Sequence, residues 1–169
     1  MDKIGFNLNK INTQQFAIIE DSYSSEKDDF TIETNLGFGV DSKNAAIISL
    51  AKLQFEQDDI PFLIIEVSCE FDISPEFWKE FDNEDNVRMP KGFMAHLAMI
   101  TVGTTRGVLH AKTENTKFNE FILPTLNVTE SNLRVLQIGL YQKEKVRNFH
   151  EKANTCLVHK VVRKYCVRN

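Results

Sequence analysis

The side chains of this 169-residue chain best suited to metal or nucleophilic chemistry are four histidines and three cysteines, and their spacing argues against both uses. His96 and His110 fall on nearly the same face of a helix, but 14 residues of helix hold them about 21 Å apart, too far to share a metal. Cys156-Leu157-Val158-His159 places two ligand types three apart, yet Cys166 stands about 15 Å from Cys156 on a continuous helix and no second close pair completes a tetrahedron. Gly103-Thr104-Thr105-Arg106-Gly107 lacks the Gly-Lys-Ser/Thr ending of a phosphate loop, and neither G-x-S-x-G nor H-E-x-x-H occurs. The carboxylate pairs Asp28-Asp29 and Asp58-Asp59 sit in turn-like stretches, where solvated acids are the rule. No catalytic residue, metal or cofactor is named by these patterns, so the chain reads as a non-enzyme; a catalytic site would have to be assembled from residues distant in sequence.

Chemistry of another kind, the binding of apolar surface, is within reach of Phe71, Phe77, Trp78, Phe81 and Phe93, which crowd among acidic residues near the middle of the chain. Aromatics in such a setting either line a groove or fill a core, and one sequence does not separate the two. Glu33, Glu66, Glu70 and Asp72 alternate with apolar residues and are placed to form an acidic sheet face, either a field that steers basic partners or a solvated surface.

These residues need elements to hold them. At 42% hydrophobic and 26% charged, with 7 Gly and 4 Pro, the composition is that of an ordinary folded domain, neither disordered nor fibrous. The length suits one domain with its own core, residues 1–141, followed by 142–169 as a basic C-terminal helical extension of it. That extension carries eight Lys or Arg against two Glu, a net of +6, whereas the first 141 residues are at −10. The tail either covers the acidic face, contacts a partner, or is a merely soluble helix end; the overall net of −4 speaks against nucleic acid as the main partner. No apolar run approaches the roughly 20 residues of a membrane span, and the N-terminus has no hydrophobic signal segment, so a cytoplasmic protein is expected. Cys69, Cys156 and Cys166, odd in number and without a CxxC, read as free thiols.

Period-two alternation marks four strands: 4–11 running on toward 16, 30–41, 45–55 and 61–73. Turn chemistry at 41–44 and 56–60 makes the last three an antiparallel meander. The fold class expected is α+β, a four-stranded antiparallel sheet with helices packed on one face. Residues 75–85 read as a short helix or loop with exposed aromatics. The segment 91–113 reads as a helix on the spacing of Phe93, Leu97, Ile100, Thr104, Val108 and Ala111, despite its β-branched residues. Gly103 and Gly107 share a face of it and would admit another backbone, at a cost in helix propensity of about 1 kcal/mol each that suggests a packing reason. Residues 121–127 read as an extended loop around Pro124, and Thr129 or Ser131 caps a last helix carrying Leu133, Leu136, Ile138, Leu140, Val146 and Phe149.

This order of elements is that of the SecB-type protein-export chaperones, and the residues resemble that family too. Phe6-Asn7-Leu8-Asn9-Lys10-Ile11 looks like its opening strand, and Phe62-Leu63-Ile64-Ile65-Glu66-Val67 with Phe71-Asp72-Ile73 looks like its fourth. Ile100-Thr101-Val102-Gly103-Thr104-Thr105-Arg106-Gly107 followed by Phe121-Ile122-Leu123-Pro124-Thr125-Leu126-Asn127-Val128 is similar to its helix with an Arg-Gly and its leucine-proline loop. The resemblance covers residues 3–141 through element order and scattered positions.

What it implies is a molecular chaperone that binds unfolded or nascent polypeptides and keeps them soluble or translocation-competent. It also implies a homotetramer, a dimer of dimers with Gly103 and Gly107 in the helix between dimers, and hand-over of clients to the SecA motor. The client groove would lie around the crossover, at Phe71, Phe77, Trp78, Phe81 and Phe93. One departure stands out: the family carries acids near the end of the first strand for its motor, and 13–19 here, including Gln15 and Ile19, has none. Glu66 alone matches half of that surface, so the alternative is a SecB-like chaperone or interaction protein dedicated to one partner, for example an antitoxin.

Overall fold

Alternating apolar and polar residues become four long strands in the structure, a computed structural model that describes residues 5–27, 29–83, 86–87, 89–123, 138–139 and 156–166, with 81–83, 86–87, 138–139 and 156–166 by backbone alone. They are β1 (Phe6–Ile18), β2 (Asp29–Asp41), β3 (Ala46–Gln57) and β4 (Ile60–Ile73), close to the expected spans. The sheet is antiparallel throughout, with β2, β3 and β4 in a meander and β1 returning beside β4 to give the order β1, β4, β3, β2. Between β3 and β4, Asp58 and Asp59 both take positive φ, 51° and 63°, the geometry of a two-residue hairpin turn whose twist matches its strands. Between β2 and β3, Asn44 donates its backbone N–H and its side-chain amide to the two carboxylate oxygens of Asp41, at 3.3 and 2.8 Å.

One face of the sheet carries the core. Ile32, Thr34, Leu36, Phe38 and Val40 of β2 stand opposite Phe55, Leu53, Ala51, Ser49 and Ile47 of β3, and these in turn face Leu63, Ile65, Val67, Cys69 and Phe71 of β4. All are buried, each large apolar side chain contributing about 1.5–3 kcal/mol relative to exposure. A bulge opposite Phe55 leaves Phe62 without a register partner, and Phe62 joins the rings on the core side, 6.3 Å from Phe55 and 5.0 Å from Phe121. β1 is bulged twice, at Asn9 and Gln14, which breaks the regular ladder that a free sheet edge would otherwise present.

After β4 come α1 (Pro75–Phe81), two-residue strands β5 (Asp82–Asn83) and β6 (Asn86–Val87), and α2 (Lys91–Thr113), whose span matches expectation. Its buried face differs by a fraction of a turn from the one expected: Phe93, Leu97, Thr101, Thr105 and Leu109 point into the core, while Ile100, Thr104 and Val108 are half-buried and Ala111 is exposed. Threonine serves as an apolar residue here because its hydroxyl donates back to the carbonyl four residues earlier, from Thr101 to Leu97 at 2.9 Å and from Thr105 to Thr101 at 2.8 Å, leaving the methyl to pack.

Two expectations for the C-terminal part are corrected. Ile138 and Gly139 form β7 (Ile138–Gly139), paired with β6, where a last helix was expected; the other residues of that helix lie outside those described. The basic tail is not helical at 156–166 but forms β8 (Cys156–Cys166), a fifth strand antiparallel to β2. The unpaired edge of β2 offers a row of backbone donors and acceptors, and Val158, Val161, Val162 and Tyr165 favour a pleated backbone over a helix. No helix among the described residues is long and apolar enough to cross a membrane.

Candidate polypeptide-binding groove

The outer stripe of α2 is exposed along its length at Gly92, His96, Met99, Gly103, Gly107 and His110, with Met99 45% exposed. A Cβ placed on Gly103 or Gly107 would meet no atom within 4 Å. The packing reason anticipated for these glycines is therefore not met by any described part of the chain: each weakens the helix by about 1 kcal/mol relative to alanine while leaving space outside it.

The helix ends where Asn115 takes a positive φ of 64°, and the chain folds back through a 3-10 turn at Lys117–Glu120. Thr116 opens that turn by accepting the Phe118 N–H at 3.2 Å, and the Asn119 amide donates to the His110 carbonyl and to the Thr113 hydroxyl, both at 3.0 Å. Phe121-Ile122-Leu123 then runs extended beside α2, pinned by the Arg106 Nε–H donating to the Leu123 carbonyl at 3.1 Å. Extended backbone sends alternate side chains to opposite sides, so Phe121 and Leu123 are buried while Ile122 is 70% exposed.

Between helix and strap lies a groove of about 350 Å³. Leu109, Phe121 and Leu123 make its floor, Gly103 and Gly107 its wall, and Arg106, His110, Asn119 and Ile122 its rim. The floor is stiff because Phe121 packs into a cluster of rings, 5.3 Å from Phe30, 5.4 Å from Tyr23 and 5.9 Å from Phe55. Tyr23 is anchored in turn by its hydroxyl, 3.4 Å from Glu120, and burial first, then the Glu120 carboxylate, push its phenol pKa up. Lys117 lies over the rings of Phe118 and Tyr23, at 5.1 and 5.6 Å. An apolar, stiff, half-open trough with a polar rim can take one or two apolar side chains of an extended peptide with little sequence selectivity.

Of the aromatics expected in the client surface, Phe71 has no exposure, and Trp78 and Phe93 are 7% and 9% exposed, so these three are core residues. Phe77 is half-buried on α1, and the Phe81 side chain lies outside those described. Phe71 and Phe93 lie near the N-terminal end of α2, where Phe6 stacks edge-on against Phe71, Phe93 and His96 at 6.0, 5.5 and 5.6 Å, away from the groove. Glu33, Glu66, Glu70 and Asp72 do share the sheet face opposite α2, but it is mixed in charge: Lys52 stands opposite Glu66, Lys10 opposite Glu70, and Asn9 donates to Asp72 at 3.2 Å. Glu66 is only 5% exposed and the other three are half-buried or nearly so, which makes this face a poor open acidic platform. Sequence reading missed Tyr23, Phe118, Phe121 and Ile122; the alternation at 121–123 was the available signal. His96 and His110 stand at opposite ends of α2, and no group of three or more His, Cys, Asp or Glu converges among the described residues.

No protein-family model matches the chain, and no curated protein matches it significantly. Among solved structures, the chain is similar to a SecB-like chaperone of Mycobacterium tuberculosis in complex with a ChAD peptide from an antitoxin, with a TM-score of 0.49 and 11% identity over 72% of this chain and 90% of that one.

Proposed function

We propose that this protein is a chaperone of the SecB type that holds extended apolar segments of non-native polypeptides in the groove beside α2 and keeps them soluble. The observation that carries this reading is that, among the described residues, nothing packs outside Gly103 and Gly107, next to a 350 Å³ groove with Ile122 and Met99 exposed nearby. Exposed Ile122 and Met99 flank the groove and add apolar surface to its mouth. The resemblance read from the sequence supplies the class of client.

Within that reading, a dedicated client is favoured over general export through SecA, because 13–19 carries no acid and Glu66 is buried against its neighbours. Cytoplasmic action follows from the same resemblance. Phe77 and Phe81, in the segment between β4 and α2, remain the client-contact candidates among the five aromatics, while Phe71, Trp78 and Phe93 support the fold from the core. A second reading of the same stripe, supported by exposed Met99 and the open Gly103, is packing of α2 against α2 of another copy in a homotetramer.

Aggregation of a chemically unfolded client followed by light scattering, with particle mass measured in the same sample, tests both. The wild-type protein is expected to delay aggregation, and Gly107→Glu, at a position where an added Cβ meets no atom within 4 Å, to weaken the delay about tenfold or more by charging the groove wall. Gly103→Glu is expected to lower the mass. A protein that delays no client, or a Gly107→Glu variant as active as wild type, overturns the groove assignment.

A further inference from the structure

The sheet has two edges, and they are treated differently. β1 ends one side and is broken by its two bulges. β2 ends the four long strands on the other and is covered by β8, which among the described residues is paired on one side only. Register runs from Asp29 opposite Cys166 to Phe38 opposite Cys156, with a single irregularity between Leu36 and Gly37. Thirty-two residues, 124–155, separate β8 from the strap at Leu123.

Charge singles out what this edge accepts. β2 carries Asp29, Glu33 and Asp41 and no basic residue, whereas β8 carries Lys160, Arg163 and Lys164 and no acid. Val162 is registered opposite Glu33, and the diagonal positions on the same face of the ladder are Lys160 and Lys164. Backbone pairing supplies affinity along such an edge, and alternate side chains supply selection.

We propose that the outer edge of β2 is a binding site for an extended, basic, β-branched polypeptide segment, and that β8 is its resident occupant in cis, displaced when a segment of that chemistry arrives from another polypeptide. This deepens the chaperone reading by giving the molecule a second client contact that recognises backbone and charge, where the α2 groove recognises apolar bulk. A tethered strand competes at an effective concentration on the order of millimolar, so a free peptide meets a closed edge until β8 is weakened or the client is held nearby by the groove.

The test uses the full chain and a fluorescein-labelled peptide of residues 156–166 with Cys156→Ser and Cys166→Ser. In the variant Val161→Pro/Val162→Pro, β8 loses the ladder donor of whichever of the two residues faces β2, and the two fixed rings at successive positions break the regular pairing around it. Anisotropy is expected to show the peptide binding this variant about tenfold or more tightly than wild type, because the internal competitor is gone. Adding Glu33→Lys, or using a peptide with Lys160→Glu and Lys164→Glu, is expected to abolish that gain. Equal binding to wild type and variant, or binding indifferent to these charges, overturns the proposal.

Hydrogen exchange on the unmodified protein tests it without any variant. Amides of 156–166 are expected to exchange at least about a hundredfold faster than those shared by β3 and β4, as a strand that opens locally must. Equal protection would make β8 a permanent part of the sheet, and a doubling of mass on opening would make a second copy the occupant; either result overturns the proposal. Gly107→Glu separates the two sites: loss of holding activity with unchanged peptide binding removes the groove and leaves the β2 edge, and the reverse pattern in Glu33→Lys does the opposite.

Discussion

Gln57, buried at the end of β3, shows how one side chain holds the end of a loop that carries only a single 3-10 turn, Glu20–Ser22. Its Oε1 accepts the Ser24 N–H at 2.9 Å, and its Nε2 donates to the carbonyls of Ser24 and Lys27 at 3.2 and 3.3 Å. The loop it ties down includes Tyr23, so the amide indirectly steadies the aromatic floor of the groove. Gln57→Ala would leave these backbone groups unpaired at a half-buried site, and urea unfolding should record a loss of about 1–3 kcal/mol. Its sequence context, Glu56-Gln57-Asp58, reads only as a polar turn, because burial of an amide depends on a loop thirty residues earlier in the chain. The same holds for Glu66: alternation assigns it to the outer face correctly, but its low exposure comes from flanking strands whose order no local pattern encodes.

Hairpins are the elements where local chemistry and structure agree most closely, and β3–β4 is the clearest case. Alternation fixed both strands to within a few residues because each buries one face, so a slip of one residue would expose the whole apolar set. The turn itself is less well chosen than its strands, since Asp58 and Asp59 both occupy the left-handed region that glycine tolerates best. Asp59→Gly is accordingly expected to raise stability by up to about 1 kcal/mol, measured as a higher urea midpoint with an unchanged slope. Helix α2 is legible in extent but not in phase, because the spacing admits both the stripe through Ile100, Thr104 and Val108 and the one through Thr101 and Thr105 that is buried, their hydroxyls satisfied within the helix. β8 is only faintly legible: Val158, Val161, Val162 and Tyr165 favour a strand, but the charge of 142–169 obscures them and the β2 edge that 156–166 pairs with is distant in sequence. The groove was half legible, for the two glycines were seen as a face in need of a neighbour, while the strap at 121–123 that completes the trough was taken as a loop.

At the scale of the whole molecule, stability should fall on the alkaline side through a buried thiol and, more weakly, a partly buried phenol. Burial pushes the Cys69 thiol up, more than the hydrogen bonds from Thr101 and Thr104 pull it down, and burial together with Glu120 raises the Tyr23 phenol. A folded-state pKa above the unfolded one gives stability that is complete below the unfolded value and lost as pH rises through the folded one. Unfolding free energy from urea titrations is therefore expected to decline above about pH 8.5, where the unfolded thiol begins to ionise, and more steeply past about pH 10 with the phenol. Cys69→Ala should flatten the first part of that decline. The position of β8 carries a further consequence for how the molecule is made. Synthesis runs from the N- to the C-terminal side, so β1 to β4 and α2 are free to assemble while β8 is still unmade. Until β8 emerges, a nascent copy exposes the edge of β2 to its neighbours on the same message. Copies cut short of β8 are therefore the ones expected to stick to one another.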